Sequence, residues 1–124
     1  MKKKLLFVCS LLFGLLLLNG GLNKLFNYMP TPDDLDPEIL QDFIAMNEIV
    51  WLLPLIGIAE IIGGLLIIFP KTRALGALVI FPVAVGILLT HIFVDTSGLL
   101  IALVIWIVLL WILFDNKEKY QSLF

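Results

Sequence analysis

Apolar side chains fill four long stretches of this chain almost without interruption, and polar residues collect in the gaps between them. The stretches lie at about 5–26, 49–69, 74–94 and 99–114. A helix needs about 20 predominantly apolar residues to cross a bilayer. The pattern therefore predicts an all-α integral membrane protein, a four-transmembrane-helix bundle. Little is left beyond one loop and two short tails, so residues 1–124 read as a single membrane domain.

The long gap, residues 27–47, has a pattern of its own. Met29-Pro30-Thr31-Pro32-Asp33 cannot be helical and is expected to run extended. Asp36-Pro37-Glu38 is a helix start, with Asp at the N-cap, Pro at the first position and an acid in the first turn. Ile39, Leu40, Phe43, Ile44 and Met46 then group on one side, and Glu38, Gln41, Asp42 and Ala45 on the other. This predicts a short amphipathic helix in the first outer loop, lying on the membrane surface as a spacer or as a lid.

Composition sharpens the class. The chain is 61% hydrophobic and 15% charged, against roughly 45–50% and 25% in a soluble domain. The net charge of -2 matters less than where the charges fall. Lys2, Lys3 and Lys4 precede the first stretch, Lys71 and Arg73 lie in the turn after the second, and Lys117 and Lys119 follow the fourth. The acidic residues, from Asp33 to Glu48 and at Asp95, fall on the opposite side. The positive-inside rule then puts both termini in the cytoplasm. The competing reading of the start is a cleaved signal peptide. Its apolar segment is too long for that, and Leu18-Asn19-Gly20-Gly21 is a poor cleavage site.

Against this background the polar residues inside the helices stand out. Glu60 lies near mid-bilayer, where a charge costs about 3 kcal/mol on insertion scales and demands a partner, a proton or a function. Lys24 lies near the outer boundary, and its long stem can snorkel to the headgroups or turn inward toward Glu60. Asn19 is about one turn deeper than Lys24 and is the nearer partner by depth alone. Asn23 and His91 complete a candidate polar cluster or ligand-binding pocket that opens outward. A lone histidine at the level of His91 is more often an interhelical hydrogen bonder than a ligand.

Around these residues run small side chains that let membrane helices approach closely. Gly57 and Gly64 share a face with Glu60, Gly63 lies beside it, and Ala77 and Ala84 form a seam that ends at His91. The fourth helix, with Trp106 and Trp111 on a lipid-compatible surface, reads as a wall of the bundle, and residues 115–119 as a solvated tail. Cys9 and His91 are the single cysteine and histidine. One chain therefore cannot supply a redox Cys pair, a bis-histidine haem site or a zinc cluster, and no metal site is expected.

Gly21-Leu22-Asn23-Lys24-Leu25-Phe26, Glu60-Ile61-Ile62-Gly63-Gly64 and Thr72-Arg73-Ala74-Leu75-Gly76-Ala77, in this order and spacing, resemble the DoxX family of small bacterial membrane proteins. His91-Ile92-Phe93-Val94-Asp95-Thr96-Ser97-Gly98 is similar to a segment found in one branch of it. The resemblance covers about residues 5–114 and implies a four-helix bundle of the bacterial inner membrane. The family takes its name from a quinone-linked sulfur oxidoreductase with a small membrane subunit, and other members are associated with redox-stress complexes. It thus implies an accessory or redox-associated membrane subunit. A quinone-linked oxidoreductase subunit and a small-solute transport unit are the alternatives. No cofactor is evident, although an apolar slot with a few polar groups would suit a quinone. The expected partners are the lipid bilayer and protein subunits or further copies of the chain, with no nucleic acid.

Overall fold

The fold was analysed in a computed structural model that describes residues 2–26, 28 and 36–123. The expected extended segment at Met29–Asp33 lies outside the described residues. Among the described residues six α-helices follow in order: α1 (Lys2–Phe26), α2 (Pro37–Glu48), α3 (Leu52–Ile68), α4 (Arg73–Phe93), α5 (Leu99–Asp115) and the short α6 (Lys117–Tyr120). No strand occurs among the described residues. Each long apolar stretch of the sequence becomes one long helix, with ends shifted by a few residues.

Among the described residues three stretches are long and apolar enough to cross a membrane, Lys3–Phe26, Arg73–Phe93 and Thr96–Asp115, and the bent pair Pro37–Glu48 and Leu52–Ile68 makes a fourth if it is one broken span. The second apolar stretch is shorter than expected. α3 has 17 residues, at the lower limit for a span, because the chain turns sharply just before Leu52. α2 and α3 meet there at 86°. A helix normal to α3 lies along a membrane surface if α3 crosses it, which suits the amphipathic pattern of α2. The start of α2 follows the sequence reading: Asp36 is the N-cap, its carboxylate accepts from the Glu38 amide, and Pro37 occupies the first turn.

α1 packs along α3, α3 against α4, α4 against α5, and α5 returns to touch α1. The interior draws on all four: Phe13 and Leu17, Ile67, Ala77, Ile80 and Ala84, and Leu109 and Ile112. The outer faces are equally apolar, with Leu12, Ile58, Leu75 and Ile107 among many exposed large side chains. Apolar on both faces is the signature of helices solvated by lipid. Association then rests on close packing rather than on escape from water.

Two turns are closed by side chains. The last carbonyls of a helix have no intrahelical donor, and at the end of α3 Thr72 and Arg73 supply donors. The Thr72 hydroxyl donates to the Leu66 carbonyl at 2.7 Å, Arg73 Nε to Ile67 at 2.9 Å and Nη2 to Ile68 at 3.3 Å. Arg73 is buried, and its guanidinium lies 6.0 Å from the centre of the Phe7 ring. At the far end Asp95 caps the 3-10 turn Thr96–Gly98. The Ser97 hydroxyl donates to its carboxylate at 2.6 Å and the Ser97 amide at 3.1 Å, which holds the Asp95 carboxyl below its ordinary pKa.

Two expectations are corrected. Trp106 is half-buried rather than set wholly on the outer surface: it packs edge-on against Phe81 of α4 at 5.5 Å, and its indole N–H donates to the Ala84 carbonyl at 2.9 Å. A buried indole N–H needs an acceptor, and the small Ala84 leaves its own backbone accessible. The C-terminal residues are likewise not merely solvated. Asn116 is buried with its amide donating to Ile112, and the Tyr120 hydroxyl donates to the Ala74 carbonyl at 2.8 Å. The tail therefore docks on the first turn of α4.

Candidate functional site

The polar residues of interest sit on the α1–α3 contact, whose geometry follows from four glycines. A Cβ on Gly21 would fall 2.5 Å from the Gly57 carbonyl oxygen, and one on Gly14 would fall 2.8 Å from that of Gly64. Both pairs are seven residues apart on each helix and run in opposite directions. The two helices are thus antiparallel and touch backbone to backbone at two levels, two turns apart. α3 uses its other side against α4, where Gly63 receives Ile80 and Gly76 of α4 receives Ile67. Ala77 and Ala84 are fully buried, as small residues on a close helix contact should be.

This crossing brings Lys24 and Glu60 together. Lys24 lies three residues beyond Gly21, and Glu60 three residues beyond Gly57. At 1.5 Å per residue their Cα atoms are about 9 Å apart along the axis. Every Cα–Cβ bond tilts toward the N-terminus of its helix, so on antiparallel helices both side chains lean back toward the glycine level. Lys24 Nζ lies 2.7 Å from Glu60 Oε1. The contact is an ion pair. Its members are unequally exposed, 29% for the Lys24 side chain and 4% for that of Glu60. Glu60 is the ninth of the 17 residues of α3, at the middle of the helix as its sequence position implies.

Gly20 provides the space. A Cβ there would stand 2.7 Å from Glu60 Oε2, so the carboxylate occupies the volume that a side chain would fill. The sequence carried a partial sign of this, since Gly20 precedes Lys24 by four residues and shares its face. Ser10, also on α1, is fully buried, and its hydroxyl has no hydrogen-bond partner among the described residues.

The other candidates have contacts of their own. The Tyr28 hydroxyl donates to the Asn19 carbonyl oxygen at 2.9 Å and also contacts Asn19 Oδ1. Tyr28 therefore ties the chain beyond α1 back onto the helix, a role no sequence pattern announced. Asn23 is half-buried one residue before Lys24. His91 is held by its own turn: Nδ1 lies 3.0 Å from the Asp95 carbonyl oxygen. A carbonyl only accepts, so Nδ1 carries the proton. The ring also rests on Gly98, where a Cβ would collide with it. The structure thus joins Lys24 to Glu60 and Asn19 to Tyr28, and seats His91 in the α4–α5 turn.

Long apolar helices with lipid-compatible outer faces and a buried ion pair between two of them define a helical membrane protein. The chain matches DoxX over residues 5–92 and belongs to the DoxX family. It is 29% identical over 69 residues to the uncharacterized protein YwoB of Bacillus subtilis (strain 168). That similarity covers 56% of this chain and 45% of YwoB, so it spans about half of the relative's length. No solved structure matches. Residues 5–92 contain Lys24, Glu60 and the whole glycine seam, while α5 and the docked tail lie beyond them.

Among the described residues no group of three or more His, Cys, Asp or Glu side chains could hold a metal ion. The pair itself offers one ammonium and one carboxylate engaged with each other. Together they can bind a polar group at the exposed Lys24 edge or pass a proton.

Proposed function

We propose that this protein is an accessory, non-catalytic integral subunit of the bacterial inner membrane, with both termini cytoplasmic and a polar pocket around Glu60 opening outward. The carrying observation is the Lys24–Glu60 pair at 2.7 Å on the glycine seam. Both charges are spent on each other and hold α1 to α3, which suits a structural or partner-facing role better than turnover. The orientation draws support from the charges: Lys3, Arg73 and Lys119 gather at one end of the molecule, as the positive-inside rule asks of a cytoplasmic face.

The test is to purify the protein from native membranes and from a heterologous host, and to compare their composition and activity. Stoichiometric co-purification of another membrane or peripheral subunit from the native source is the expected result. Turnover of a quinone by the isolated chain, lost in Glu60→Gln, would overturn the reading. Quinone binding is the second reading, favoured by the partial exposure of the Lys24 ammonium. It would place a donor at the pocket mouth for a quinone oxygen, with Glu60 as proton relay. Co-purified quinone that Lys24→Met removes would favour it.

A further inference from the structure

At the end of the molecule opposite Lys24, three helix termini enclose a half-open cleft of about 350 Å³. Its walls include Lys3, Leu6 and Phe7 from the start of α1, Arg73 from the start of α4, and Asp115 and Lys119 from the end of α5 and the docked tail. Three cations thus face one carboxylate. The Tyr120 hydroxyl holds the tail over the first turn of α4, and Lys119 lines the same cleft as Lys3. Arg73 is buried and commits Nε and Nη2 to the carbonyls of α3, so its guanidinium is fixed in the cleft wall, where Asp115 is the opposing charge.

Lys3, Arg73 and Asp115 each begin or end a candidate span, and Lys119 lies four residues beyond Asp115; charged residues at the ends of membrane helices sit at the level of the lipid headgroups. One wall is apolar and leads outward: Phe7 is 45% exposed on the flank of α1, next to the lipid-facing surface. A free phosphate has no use for such a wall, whereas a phospholipid does. Basic pockets between membrane helices are suited to anionic headgroups. The surplus of positive charge disfavours a lipid with no net charge.

We infer that this cleft binds the headgroup of an anionic phospholipid, with the phosphodiester between Lys3, Arg73 and Lys119 and the acyl chains descending past Phe7. The site is separate from the Lys24–Glu60 pair and does not depend on what that pair does.

Native mass spectrometry of the purified protein, titrated with phosphatidylglycerol or phosphatidylcholine at equal concentrations, tests this. Phosphatidylglycerol should be retained preferentially. Lys3→Gln with Lys119→Gln should weaken that retention by about fivefold per lysine. The control is Lys71→Gln with Lys117→Gln, which removes the same charge from exposed lysines at the same end, and it should retain the lipid. Asp115→Asn should strengthen retention, a gain that misfolding cannot produce. Equal retention of the two lipids would overturn the inference, as would equal losses in both double variants or no gain in Asp115→Asn. Displacement of the lipid by millimolar inorganic phosphate would assign the site to a free anion instead and overturn the lipid assignment.

Discussion

Lys24 and Glu60 form one ion pair, but they do not stand in equal positions. The carboxylate is buried among helix backbones, while the ammonium keeps an edge to the surroundings. Removing Lys24 leaves the buried carboxylate unpaired, so it must take up a proton and stay as an unpartnered polar group; removing the charge of Glu60 leaves a lysine whose stem can swing to the headgroups. Lys24→Met should therefore destabilise the protein by about 2–3 kcal/mol, and Glu60→Gln by about 1 kcal/mol. The double variant should be more stable than Lys24→Met alone. Equilibrium unfolding in mixed micelles would measure all three, and equal costs for the two single variants would contradict this account. His91 belongs to another structural unit, since its Nδ1 proton is committed to the Asp95 carbonyl.

Among the elements, the α1–α3 pair depends most on single atoms. At Gly21 an added methyl group meets the backbone oxygen of Gly57, which cannot move aside. At Gly20 it meets the end of the Glu60 side chain, which can. Gly21→Ala should thus cost about 1–3 kcal/mol by overpacking, and Gly20→Ala less. Thermal unfolding of the two variants, with crosslinking between cysteines placed on α1 and α3, would report both the cost and the separation of the helices. The end of α3 offers a second element-scale test. Arg73→Lys keeps the charge but loses the planar fork that reaches two carbonyls at once. A loss of about 1–2 kcal/mol is expected, with faster amide exchange confined to the last turn of α3 and the following turn.

At the scale of the molecule, the docked tail links the stability of the fold to alkaline pH. Burial pushes the Tyr120 phenol above its ordinary pKa, and the protonated form donates to Ala74. A group whose pKa is raised by folding stabilises the fold fully below its unfolded pKa, and that contribution is lost as pH rises through the higher folded value. For a phenol this window begins near pH 10. Wild type should lose stability there relative to Tyr120→Phe, which should start out less stable at pH 8 and lack this alkaline loss. A parallel decline of both proteins in thermal scans from pH 8 to 11 would show that the phenol is not responsible. The same tail carries Lys119 of the basic cleft, so Tyr120→Phe should also weaken retention of an anionic lipid.

By itself the sequence determined the helical class, the positions of the long helices, the start of α2 and the family. Hydropathy, capping residues and the order of short motifs are local properties of the chain, and lipid solvation makes them decisive. It also marked Glu60 as a residue in need of a partner, because a mid-membrane carboxylate is costly wherever the helix packs. Only the tertiary structure decided that the partner is Lys24. Reckoned by depth, Asn19 was nearer, but side chains lean toward the N-terminus of their helices, and the antiparallel glycine contacts turned that tilt into convergence. Likewise, whether the Trp106 indole met Ala84, and whether the tail drifted or docked, depended on distances between elements far apart in the chain. Those distances are settled by how closely the backbones can approach, and no local pattern of residues carries them.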